Sequence, residues 1–250
     1  MAKGEQHPSK ALRALDWTSL ISYAALACWL VLRLSPFAPG RPWVVLTAVL
    51  LGYLAADLVS GLVHWAADTW GSVDMPILGP AVLGPFREHH RDPLAITRHD
   101  FVETNGNNCL VSMPGALLSL MIPLDRGWLG VFASVFLVAL MFWVLMTNQF
   151  HKWAHLDSPP AWIAFLQRWH LILPPEHHAV HHTAPFNRYY CITVGWMNWP
   201  LQAIRFFPAM EWLVSSLTGA LPRQDDIGQA AAMAIAPTQD APAASAERRV

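Results

Sequence analysis

From Trp128 to Phe150 the chain runs for 23 residues without one charged side chain. That feature rules out most soluble folds, because about 20 apolar residues in a helix match the roughly 30 Å hydrocarbon core of a bilayer. A second stretch, Trp43–Val63, has 21 residues and would rise about 31 Å as a helix. Its one acid, Asp57, lies in the second half and reads as a polar residue facing a neighbouring helix, ahead of a direct functional role. Trp17–Leu34 makes a further span, stopped by Ser35-Pro36. Leu110–Leu124 is apolar but short and contains Pro114, so it is the weakest. The expected fold class is an all-α integral membrane protein of about four transmembrane helices with a cytoplasmic, histidine-rich helical cap. A composition of 54% hydrophobic and 13% charged residues agrees.

The expected organisation is a polar N-terminus (1–16), a membrane domain (17–222) and a disordered Ala/Pro-rich tail (223–250). The N-terminus lacks a cleavable signal pattern. Residues 64–109 read as a long polar connection. Segments near 161–173, 190–201 and 203–218 are amphipathic or Trp-rich and too short or broken to span, so they are expected at the interface. Four spans would put 13 of the 16 Lys and Arg on one side. The positive-inside rule makes that side cytoplasmic. It also gathers 11 of the 12 histidines, from His64 to His182, on one face. A re-entrant hairpin over 110–150 would do the same.

A net charge of −1 and the absence of a basic run argue against nucleic acid as a partner. The three cysteines, Cys28, Cys109 and Cys191, are far apart. They suggest neither a disulfide framework nor a thiolate metal site.

The histidines carry the chemistry. His151 and His155 stand at i and i+4 at the end of the last strong span. His178, His181 and His182 stand at i, i+3 and i+4 behind Pro174-Pro175, one face if helical. His64 and Asp68 repeat the i, i+4 spacing, and His89 and His90 are adjacent. Adjacent helical residues point about 100° apart, so only one of such a pair faces a given metal unless two metals are present. A lone HxxxH is more often interfacial than ligating; the whole set on one membrane face is a metal-binding pattern. All-nitrogen donors argue against iron–sulfur and structural zinc. Eight or more candidates suit two metals, and two irons could reduce O2 to an oxidant for an unactivated C–H bond.

The motifs HWAADTWGS, PFREHHRDPLAITRHDFVETNGNNCLV, TNQFHKWAH, WHLILPPEHHAVHH, YYCITVGWMNWPL and LTGALPRQDD resemble the plasmanylethanolamine desaturase (Kua, or lipid desaturase domain) family, in order from about 57 to 226. The resemblance implies a membrane histidine-box desaturase with non-haem iron and O2 as co-substrate. Animal and myxobacterial members turn the 1-O-alkyl chain of an ether phospholipid into a vinyl ether. A plant plastid branch desaturates palmitate on phosphatidylglycerol. By motif, HxxxH falls on His151 and His155, and HxxHH on His178, His181 and His182. His64, His89 and His90 match further histidine motifs.

The expected metal ligands are therefore His64, His89, His90, His151, His155, His178, His181 and His182, then His99 and His170. His177 is the open case. Asp68, Asp92 and Asp100 are candidates to orient a ligand imidazole, with a helix cap or salt bridge as the equal alternative. Arg87, Arg91 and Lys152 are candidates for a lipid phosphate, with ordinary surface anchoring as the commoner role. No G-x-G-x-x-G motif is present, so two electrons must come from an external donor of cytochrome b5 or ferredoxin type. The alternatives are an acyl-lipid desaturase or hydroxylase, and, more distantly, a non-catalytic metal-binding membrane carrier.

Overall fold

The computed structural model describes residues 9–223 except Ile77, Arg126 and Ala184, and not the side chains of Pro80 and Ala81. Residues 1–8 and the tail from 224 onward lie outside the described residues. All regular elements among the described residues are helical.

Helix α1 spans Lys10–Leu34, so it begins seven residues before the expected Trp17. Ser9 starts it, its side chain accepting the Leu12 N–H at 3.2 Å. Helix α2, Pro42–Thr69, opens on a proline, which costs no internal hydrogen bond there. Two short helices follow, α3 (Gly84–Arg91, after a π-helical turn Gly79–Leu83) and α4 (Ala95–Arg98). Helix α5 spans Phe101–Leu120, and the Asp100 carboxylate caps it by accepting from Glu103 N at 3.0 Å. Residues 101–109, expected in a polar connection, are therefore helical. Helix α6, Trp128–Ala154, is the strongest apolar segment.

α1 packs mainly on α5, α5 on α6, and α6 on α2. α1 and α5 run in the same direction, clamped at both ends. At one end Arg13 forms an ion pair with Asp100. At the other, Arg33 donates to the Ser119 and Ile122 carbonyls, each at 2.8 Å. Gly106 makes the closest approach possible, because a Cβ there would run into the buried Asp16 side chain. Three helices are long and apolar enough to cross a membrane: Lys10–Phe37 (α1 with its 3-10 extension), Pro42–Thr69 and Trp128–Ala154. α5 is absent from that set because its first half is polar. That polarity is turned inward onto α6. Asn105 donates to the Gln149 side chain at 3.0 Å, and Asn148 donates to Asn108 at 3.2 Å.

The remaining helices are α7 (Ala161–Arg168), α8 (Pro175–Ala179), α9 (Asn198–Ala203) and α10 (Phe206–Thr218). Phe207 of α10 joins Trp65, Tyr190, Cys191 and Leu201 in one apolar cluster. Ile163 of α7 and Ile172 join Phe150 in another. Asp57 is fully buried and faces irregular backbone rather than a helix. Its Oδ1 accepts from Thr193 N (3.1 Å), Val194 N (2.9 Å) and Gly195 N (2.9 Å). Its Oδ2 accepts from Met197 N at 2.9 Å.

Candidate metal centre

The ends of α2, α3 and α6 and the α8 turn converge at one end of the bundle. They bring two groups of donors together. His89, His151, His155, His178 and His182 form one, and His64, Asp68, His90 and His181 the other; within each group the donor atoms lie within 4.8 Å of one another. The two groups abut, with His64 and His151 ring centroids 6.3 Å apart.

Two of the three adjacent histidine pairs are divided between the groups. His89 faces the first and His90 the second; His182 faces the first and His181 the second. The helix α8 ends at Ala179, so His178, His181 and His182 do not share one face as the spacing suggested. The turn beyond α8 aims His181 away from its neighbours. His178 and His182 stay together, Nε2 to Nε2 at 3.0 Å.

In the all-histidine group, His178 Nε2 stands 2.9 Å from His151 Nε2 and 2.9 Å from His155 Nε2. His182 Nε2 stands 3.1 Å from His89 Nε2. A neutral imidazole has one N–H, so these converging nitrogens cannot all be hydrogen-bonded to one another. Donors bound to one metal at about 2.1 Å sit roughly 3 Å apart when adjacent, which is the spacing seen. Burial, then the neighbouring histidines, holds the His89, His178 and His182 rings well below the usual imidazole range. Burial pushes His155 down to about 4. These rings are neutral near pH 7, the state that binds a metal.

The second group contains a carboxylate. Asp68 Oδ2 lies 3.1 Å from His90 Nε2, 3.4 Å from His64 Nε2 and 3.6 Å from His181 Nε2. His64 Nε2 and Asp68 Oδ1 are buried with no hydrogen-bond partner among the described residues, which a cation would resolve. Backbone carbonyls orient two of these rings: Tyr190 O faces His64 Nδ1 at 3.2 Å, and Arg188 O faces His181 Nδ1 at 2.9 Å. Each carbonyl favours the tautomer with Nδ1–H and leaves Nε2 free to ligate.

Other candidates lie elsewhere. His99 is exposed and 3.6 Å from Glu103. His170 is exposed, at φ 51°, with its carbonyl accepting from Trp196 Nε1. His177 stacks on Tyr189 and meets Asn198 Nδ2 at 3.0 Å. Asp92 pairs with Arg98 at 2.5 Å, and Asp100 with Arg13. Arg87 is fully buried and donates to the Trp70 and Gly71 carbonyls at 2.7 and 2.9 Å. It cannot serve as a headgroup contact; it ties α3, and with it His89 and His90, to the end of α2. Lys152 donates to the His99 carbonyl, and exposed Arg91 lies 3.7 Å from Glu88. Sequence reasoning missed the Tyr190 and Arg188 carbonyls, which carry no side-chain signal. It also missed the partners of Asp57, although an acid with Ser60 and Gly61 in an apolar span was a visible clue.

A cleft of about 460 Å³ reaches the all-histidine group from outside, lined by His155, His178 and His182 with Pro93, Leu94 and Pro175 among others. The carboxylate group has no share in it.

Comparison with known proteins places this arrangement. The chain is 60% identical over 228 residues to a plasmanylethanolamine desaturase of Myxococcus xanthus, covering 91% of this chain and 80% of that protein. It is 45% identical to plasmanylethanolamine desaturase 1 of Mus musculus, covering 88% and 83%. It is 34% identical to the chloroplastic fatty acid desaturase 4 of Arabidopsis thaliana, covering 69% and 52%. No solved structure matches. Residues 53–225 match the lipid desaturase domain model, a segment that holds every residue of both donor groups, and the chain belongs to that family.

Proposed function

We propose that this protein is an iron- and O2-dependent membrane desaturase that converts the 1-O-alkyl chain of plasmanylethanolamine into a 1-alkenyl chain, a step of plasmalogen formation. The observation that carries this reading is the paired donor set, five histidines beside three histidines and an aspartate, at the ends of membrane helices. The names and identities of the two most similar relatives described above support the ether-lipid substrate. The proposed ligands are His89, His151, His155, His178 and His182 for one iron and His64, Asp68, His90 and His181 for the other. Bound iron would supply the O2 reduction and the oxidising power to remove two hydrogens from adjacent chain carbons. The balance needs one O2, two hydrogens with their electrons from the lipid, and two further electrons and two protons; the products are the vinyl ether and two waters.

The chain's own residues hold and orient the centre. Tyr190 and Arg188 carbonyls fix two imidazoles, and Arg87 fixes the α3 end. Burial of the carboxylate group excludes water from one side. The electrons come from an external donor of cytochrome b5 or ferredoxin type. α5 is the fourth span, because its ends meet both ends of α1 and its 20 residues rise about 30 Å. The metal end faces the cytoplasm, by the positive-inside distribution of Lys and Arg. Expression in cells that contain plasmanyl lipids but no endogenous desaturase should yield acid-labile vinyl ethers. An iron-loaded, well-expressed protein that yields none would sink the reading.

The plant relative's name supports a second reading, an acyl-lipid desaturase. Analysis of fatty-acid double bonds in the same cells separates the two.

A further inference from the structure

We infer that residues 161–173 and 191–218 are set into one leaflet of the bilayer, with irregular backbone below the membrane surface, rather than capping the bundle from the water. The inference rests on the reading of α2 and α6 as spans.

The two helices supply a depth scale. α2 starts at Pro42, next to Arg41, and α6 starts at Trp128, just after Asp125. They are level with one another: Gly52 abuts Ala139, and 12 residues later on each, by subtraction, His64 lies beside His151. From Pro42 and Trp128, a hydrocarbon core of about 30 Å reaches roughly 20 residues on, to Leu62 and Asn148. The near surface therefore lies within a turn of the metal centre.

Residues 161–173 and 191–218 are bound at that level and below it. Phe207 of α10 packs on Trp65 at the end of α2, in an apolar cluster that Leu58, Leu62 and Trp70 also join. α7 and Ile172 pack on Trp143, Met146 and Phe150 of α6. The Tyr53 hydroxyl donates to the Leu171 carbonyl at 2.5 Å. Residues 192–197 are held by Ser60, which accepts from Ile192 N at 3.0 Å, and by Asp57. Asp57 is about 8 Å and Tyr53 about 14 Å beneath the surface on this scale.

Non-helical backbone persists at such depth only where protein groups satisfy it. Asp57, Ser60 and Asn198 do this: Asn198 both accepts from Cys191 N and donates to Cys191 O, each at 2.9 Å. The outward surface fits hydrocarbon as well. α10 turns Trp212 (71% exposed), Leu213 and Leu217 (77% exposed) outward with Ala209 and Ser216, and no charge among them. α7 turns out Trp162 and Phe165. In water these would be exposed apolar faces of a kind soluble proteins avoid. Against a leaflet they continue the lipid-facing surface of α2 and α6.

The test is a depth measurement on the full chain in phosphatidylcholine–phosphatidylethanolamine vesicles. In a Cys28→Ser background, Trp162→Cys, Trp212→Cys and Leu217→Cys each receive a nitroxide label. Leu50→Cys on α2 is the lipid reference and Glu88→Cys on α3 the water reference. The readout is the ratio of collisions with oxygen to collisions with a water-soluble nickel chelate. The three positions should follow Leu50→Cys, several-fold above Glu88→Cys. If they follow Glu88→Cys while Leu50→Cys remains in lipid, the inference is overturned and the spans stand. If Leu50→Cys also reads as water, the span assignment and the inference both fall.

Discussion

The two donor groups share a wall but differ in chemistry. The carboxylate group is closed: His64, Asp68 and His181 are each at most 1% exposed. Backbone carbonyls orient two of its three rings, and Asp68 gives it a carboxylate. The all-histidine group is neutral, and three of its rings border the cleft. The difference teaches how adjacent histidines can serve two metals. A pair such as His89-His90 diverges by about 100° along a helix, which makes it a hinge between the groups rather than a redundant ligand. One group is thereby closed off, and the other opens onto the cleft.

The sharpest way to break this contrast is to remove a ligand from one side only. His178→Ala takes away the nitrogen closest to three others, and Asp68→Ala takes away the only carboxylate. Each should abolish vinyl ether formation and lower metal content from about two ions per chain to about one. Metal analysis of purified protein checks this, and an unchanged content in either variant would contradict the assignment.

Asp57→Ala tests whether the closed group depends on its supporting backbone. Four N–H groups lose their acceptor, and each buried unsatisfied group costs about 1–3 kcal/mol. Thermal unfolding in detergent should show a large loss of stability, greater than for Ser60→Ala, which strands one N–H. Equal losses would mean that Asp57 is not the main anchor.

Chelation sharpens the contrast kinetically. The group beside the cleft should release its metal first, giving two phases whose slower component belongs to the closed group. A single phase in which both ions leave together would mean that exposure does not distinguish them.

The smallest effects are expected outside both groups. His170→Asn tolerates the positive φ, and His99→Gln removes an exposed ring; both should keep metal content unchanged and activity within about twofold. His177→Phe keeps the stack on Tyr189 but loses the contact with Asn198, at a cost of about 1 kcal/mol. Metal loss in any of these three would enlarge the donor set.

The spans and the helical end positions of His64, His151 and His155 were legible because apolar length and i, i+4 spacing are local properties. The split of His181 from His182 was not, because it depends on where a five-residue helix stops. The placement of His99, His170 and His177 outside the two groups was half legible: the sequence ranked them behind the rest, but histidine count and proximity do not tell which way a ring points. α5 was misjudged at its start, since Asn105 and Asn108 read as loop until α6 supplies Gln149 and Asn148. Asp68 was seen as a supporting acid, and the structure sets it among the donors.

The clamp between α1 and α5 bears on how the chain is made. α1 leaves the ribosome before α2 and α5, yet its main neighbour is α5 rather than α2. Both of its arginine contacts, to Asp100 and to Ser119 and Ile122, lie on chain not yet synthesised when α1 enters the membrane. The contacts that hold α1 therefore form only after α5 has been made and packs parallel to it. Biogenesis of this protein is a late closure: α1 is locked in place only once α5 has been made.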